Sequence, residues 1–97
     1  MEIKRTAIAG TLESSDIQIM LSKGTEGIQV TLKSDVEKQF GDQIRKVITS
    51  VLKSFNIENA KVTAVDKGAL DCVIKARTIT ASQRALEIAD SPEWEVL

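Results

Sequence analysis

Two adjacent serines, Ser14 and Ser15, stand between Glu13 and Asp16 in the stretch "GTLESSDIQI", residues 10–19. A serine hydroxyl can attack a substrate when a neighbouring base drives it, or it can accept a group that another enzyme installs. The first route commonly needs histidine, and the chain has none. With no imidazole there is also no side chain whose unperturbed pKa lies near neutrality. The second route needs only exposure and steric access, because a modifying transferase supplies the base. Small polar residues fenced by acids are also ordinary turn formers, their oxygens bonding nearby backbone N–H groups. Local chemistry favours the turn and does not choose between the two serines.

The other reactive patterns have simpler readings. The single cysteine, Cys72, permits no intramolecular disulfide and fits a reducing compartment. It shares a period-two face with Leu70 and Ile74, which makes it a small core hydrophobe. The segment "GTEG", residues 24–27, has the Gly-x-x-Gly form that clamps nucleic-acid backbone in KH domains. Here it lies between two strand patterns without a basic surround, so it reads as a hairpin loop. Trp94 is a cap on a core edge or a docking anchor, with the cap favoured. No catalytic residue and no metal-ligand set emerges.

Composition narrows the class further. A chain of 97 residues is one domain, 1–97, able to form a modest core without disulfides. Thirteen basic and fourteen acidic residues give a net charge of −1, which argues against nucleic acid and basic membrane-surface binding as partners. The start "MEIKRTAIAG" lacks the apolar run of a signal peptide, and nowhere do 18 apolar residues follow one another. A cytoplasmic protein is the expectation.

The elements that must position the serines come from periodicity. In "SDVEKQFGDQIRKVITSVLKSF", Val36, Phe40, Ile44, Val47, Ile48, Val51, Leu52 and Phe55 draw one stripe along a helix over about 35–55. Ser34 and Glu37 have capping-box spacing at its start. Ahead of it, "DIQIMLS" and "GIQVTLK" alternate as strands, and "SKGTEG" between them predicts a hairpin. "RTAIAGTL" is a weaker first strand with a bend at Gly10, "AKVTAV" is a later strand, and "VDKGAL" is a turn. The segment "LDCVIKARTITASQRALEIA" reads as a strand to about Thr78, because Leu70, Cys72, Ile74 and Ala76 alternate and Thr78, Ile79 and Thr80 disfavour a helix. A shorter C-terminal helix over about 80–89 follows, with one long helix as the alternative. Pro92 stops it, and the tail 90–97 is expected to be extended or flexible. The expected fold class is α+β, a two-layer sandwich with a mostly antiparallel sheet of about five strands.

Three phrases, "AGTLESSD", "SDVEKQFGDQIR" and "VDKGALDCVIKAR", occur in order across nearly the whole chain. Together they resemble the acyl carrier proteins of citrate lyase, the gamma subunits of that complex. The resemblance implies a serine joined by a phosphodiester to 2'-(5''-phosphoribosyl)-3'-dephospho-CoA, whose terminal thiol carries acetyl and citryl. It places the attachment at Ser14, directly after "GTLE", with Glu13, Ser15 and Asp16 as the supporting turn. Glu13 and Asp16 are expected to face solvent there, where they would orient the modifying transferase or its metal ion. The implied partners are an alpha subunit that exchanges the acyl group, a beta subunit that cleaves citryl-carrier, and the prosthetic-group transferase. The carrier itself is then non-catalytic. The alternatives are the carrier subunit of malonate decarboxylase, or a non-enzymatic α+β module binding protein or RNA through its sheet.

Overall fold

The computed structural model describes residues 3–34 and 37–86. Its elements run β1 (Ala7–Ala9), β2 (Ile17–Lys23), β3 (Ile28–Ser34), α1 (Glu37–Ser54), β4 (Ala60–Asp66) and α2 (Asp71–Ala85). The strands form one sheet in the order β1-β2-β4-β3, and both helices pack on it as a second layer. This is the expected α+β sandwich. Among the described residues the sheet has four strands, one fewer than about five, and two of its three pairings are antiparallel.

Alternation decides which side of each strand is buried. Ile17, Ile19 and Leu21 of β2, with Ala60, Val62 and Ala64 of β4, turn inward, while their neighbours in sequence face outward or sit half-buried. Ile44, Ile48 and Leu52 of α1 and Ile74, Ala81 and Ala85 of α2 close over them. The α1 stripe is as expected from Ile44 to Phe55, but Phe40 is 54% exposed and lies off the core. Val36 lies outside the described residues, and so does the side chain of Glu37 that the capping box would use.

The hairpin between the second and third strands does not form. β4 inserts between them, antiparallel to β2 and parallel to β3, with Ile19 opposite Ala64 on one side and Leu32 opposite Ala64 on the other. Residues 24–27 therefore arch past the start of β4. The Gly27 N–H donates to Asn59 Oδ1 at 2.7 Å, and the Ala60 N–H donates to the Gly27 carbonyl at 3.0 Å. Gly24 passes so close to the Ala60 backbone that a Cβ there would collide with it. The two glycines serve a crossing of chains instead of a tight turn.

The second correction concerns residues 70–89. The strand to Thr78 and a separate helix starting near Thr80 are replaced by the continuous helix α2, the alternative reading, while residues 87–89 of the expected helix lie outside the described residues. The Thr78 hydroxyl donates to the Ile74 carbonyl at 2.7 Å and Thr80 to Ala76 at 3.0 Å, so two β-branched residues are accommodated by back-bonding to the preceding turn. Cys72 is consequently exposed, as are Leu70 and Ala76, and none belongs to the core. The tail 90–97, with Pro92 and Trp94, lies outside the described residues. No helix among those described is long and apolar enough to cross a membrane.

Candidate functional site: the Ser14 turn

The serines lie in the connection from β1 to β2, whose strands pair antiparallel with Ala9 opposite Ile19. The connection opens at Gly10, with φ +91°, where any Cβ would run into the Ile17 carbonyl. It closes in a β-turn over Glu13–Asp16, the Asp16 N–H donating to the Glu13 carbonyl at 3.2 Å. Ser15 takes φ +66° at the third position, as a type II turn requires. Ser14 is left at the corner of the turn.

The two serines therefore differ in a way that the sequence does not reveal. Ser15 is tied down, its N–H donating to the Lys67 carbonyl at 2.7 Å, while the Lys67 N–H donates to the Asp16 carbonyl at 2.9 Å. That tie is through the backbone: both serines are exposed, and neither hydroxyl makes a hydrogen bond among the described residues, so what sets Ser14 apart is its place at the corner of the turn. Glu13 is exposed beside it.

Asp16 departs from expectation. It is buried, and its carboxylate is consumed inside the protein. Arg77 of α2 grips it with both arms, Nε to Oδ1 at 3.0 Å and Nη2 to Oδ2 at 2.9 Å. The Thr11 hydroxyl and N–H donate to Oδ2 at 2.7 and 3.1 Å, and the Ile17 N–H donates to Oδ1 at 2.8 Å. The Arg77 hydrogen bonds, then that of Thr11, hold the Asp16 carboxyl well below the usual carboxylate range, outweighing the desolvation that pushes it up. Asp16 is thus the internal tie of the loop and not a solvent-facing acid.

A second aspartate does the same for the adjoining turn. Asp66 is buried and accepts from the Ser34 hydroxyl and the Ala69 N–H, each at 2.9 Å, which fixes residues 66–69. That turn supplies Lys67 to the serine loop. The fold thus brings together Ser14, Ser15, Asp16, Lys67 and Arg77, the last two absent from the sequence-based site. An Asp-Lys-Gly turn is visible in "VDKGAL", but Arg77 carries no signal beyond ending the phrase "VDKGALDCVIKAR". The arrangement presents two exposed, unbonded hydroxyls on a braced turn, that of Ser14 at its corner and that of Ser15 on the residue whose backbone Lys67 holds.

Comparison with known proteins bears on this arrangement. The family model described as malonate decarboxylase delta subunit, an acyl carrier protein family, matches residues 4–85. The citrate lyase acyl carrier protein of Oenococcus oeni is 73% identical over 97 residues, covering all of both chains. That of Lactiplantibacillus plantarum is 72% identical and that of Lactobacillus helveticus 67%, again over the full length of both. Among solved structures, a chain of a Pseudomonas malonate decarboxylase hetero-tetramer shares the fold, with a TM-score of 0.75 at 15% identity and 88% of each chain covered. A full-length likeness of this order leaves a single assignment: the chain belongs to the citrate lyase acyl carrier protein family.

Proposed function

We propose that the Ser14 Oγ is the point at which a 2'-(5''-phosphoribosyl)-3'-dephospho-CoA arm is attached through a phosphodiester, and that the protein is a non-catalytic carrier. The observation that carries this is the exposed, unbonded Ser14 hydroxyl at the corner of a turn braced through Ser15, Asp16, Lys67 and Arg77. The residues present fit such a group. A phosphodiester there displaces no internal hydrogen bond, and the corner gives a modifying transferase room to approach. When attached, the arm supplies a terminal thiol on which an acyl group can ride.

The chain's own residues hold the base of that tether still. A tethered group reaches two active sites at an effective concentration on the order of mM without dissociating. The partners on this reading are the alpha and beta subunits of citrate lyase and the prosthetic-group transferase, in the cytoplasm. Glu13 remains the one acid of the turn open to a docking transferase.

Intact-mass measurement after co-expression with the prosthetic-group synthesis and transfer enzymes tests the attachment. One added arm is expected in the parent protein and in Ser15→Ala, and none in Ser14→Ala. An arm retained by Ser14→Ala overturns the assignment. The family description and the shared fold favour a second reading, the carrier of malonate decarboxylase. The loaded protein should accept acyl groups from a citrate lyase alpha subunit and not from its malonate decarboxylase counterpart.

A further inference from the structure

Phe40 and Leu70, two of the large apolar side chains that the fold leaves exposed, at 54% and 71%, line the same cleft. The cleft measures about 510 Å³, within the range of small-molecule sites. Gln43, Ile44, Gly68 and Asp71 are among the other residues that line it. It adjoins the serine turn: Asp66 and Gly68 line it, and they flank Lys67, whose carbonyl accepts from Ser15 and whose N–H donates to Asp16. A site beside the anchor of a tether fills even when weak, because the tethered group is present at an effective concentration on the order of mM.

The lining selects one part of the arm. Phe40 and Gln43 are three residues apart on α1 and so share a face, an aromatic plane beside a planar amide. An aromatic side chain stacks on any base, and glutamine reads adenine by accepting from N6 and donating to N7. Gln43 Nε2 already donates to Asp71 Oδ2 at 3.0 Å, which orients the amide and leaves its second N–H and its carbonyl oxygen for a ligand. The flexible pantetheine portion offers no aromatic plane and must stay free to reach two enzymes. Resting on the reading of Ser14 as the attachment point, the geometry points to this cleft as the seat of the arm's adenine base, stacked on Phe40 and read by Gln43. The nucleotide end of the arm is then held against the protein, and only the pantetheine end swings.

The test uses the full chain, unmodified and isotope-labelled, titrated separately with adenosine, dephospho-CoA and pantetheine while amide shifts are followed. Adenosine and dephospho-CoA should move the amides of Phe40, Gln43 and Gly68 to Leu70, and pantetheine should not. Phe40→Ala should weaken adenosine binding at least tenfold and Gln43→Ala a few-fold, with unchanged helical circular dichroism. No shift with adenosine at about 10 mM, a concentration matching the tether, or shifts with pantetheine alone, overturns the proposal. Because the probe is free nucleoside, its outcome is independent of the mass test on Ser14. An arm found elsewhere removes the attachment reading, whereas silence at Phe40 with an arm on Ser14 removes only the cleft.

Discussion

Arg77 and Asp16, 61 residues apart in sequence, meet through two parallel hydrogen bonds of 3.0 and 2.9 Å, so the middle of α2 holds the base of the serine loop. The pair lies near the surface, Arg77 being 41% exposed, while its carboxylate also gathers the Thr11 and Ile17 N–H groups. Paired guanidinium and carboxylate planes resist rotation as a single contact does not.

Removing the two partners should therefore have unequal effects. Arg77→Ala is expected to cost about 1–2 kcal/mol, since part of its charge is already solvated. Asp16→Ala should cost more, about 2–4 kcal/mol, because it strands the Thr11 and Ile17 donors as well as the guanidinium. Arg77→Lys should not restore the parent stability, an ammonium being unable to grip both oxygens. Urea denaturation of the three variants measures this, and equal losses for Arg77→Ala and Asp16→Ala would contradict the shared role of the carboxylate.

Acid should act through the same group. The folded-state pKa of Asp16 is lowered from an ordinary value of 3.8, so the unfolded chain binds its proton first as pH falls. The stability from this group is complete above about pH 4 and is lost as pH drops through that value toward the depressed folded one. Asp16→Asn should be less stable than the parent at pH 7, and its stability should fall less steeply between about pH 4 and pH 2. Parallel slopes for parent and variant in that window would show that other carboxylates dominate.

The two serines should separate in stability as well as in modification. Ser15 holds a left-handed φ of +66°, which favours glycine, so Ser15→Gly should leave stability unchanged or raise it by about 0.5–1 kcal/mol. Ser14→Ala removes an unbonded exposed hydroxyl and should change stability by less than about 0.5 kcal/mol. Thermal melts read both, and a large loss in Ser14→Ala would give that hydroxyl a structural part.

Ser82 offers a check on α2. Its side chain is fully buried against the core, and its hydroxyl has no partner among the described residues. Ser82→Ala should stabilise the protein by about 1 kcal/mol, a rise of roughly 4–8 °C in melting temperature for a domain of this size. A destabilised variant would reveal a hydrogen bond at that oxygen.

Sequence alone determined the periodic features and the displayed turn. The stripe from Ile44 to Phe55 and the alternation of Ile17, Ile19 and Leu21 each specify a buried face, and Ser14 and Ser15 specify a bend between strands. Three ordered phrases specified the family. Tertiary structure decided what those faces meet. Alternation says which side of a strand is buried and nothing about its neighbour, so β4 could enter between β2 and β3. The inward positions of α2 recur at helical intervals as Ile74, Thr78, Ala81, Ser82 and Ala85, mostly small or polar residues that hydrophobic periodicity passes over. Asp16 looked like a solvent acid because its partner is far along the chain, and only the packing of α2 beside the loop supplies the guanidinium. That contact, with the Lys67 clamp on the Ser15 backbone, leaves Ser14 at the corner of a braced turn.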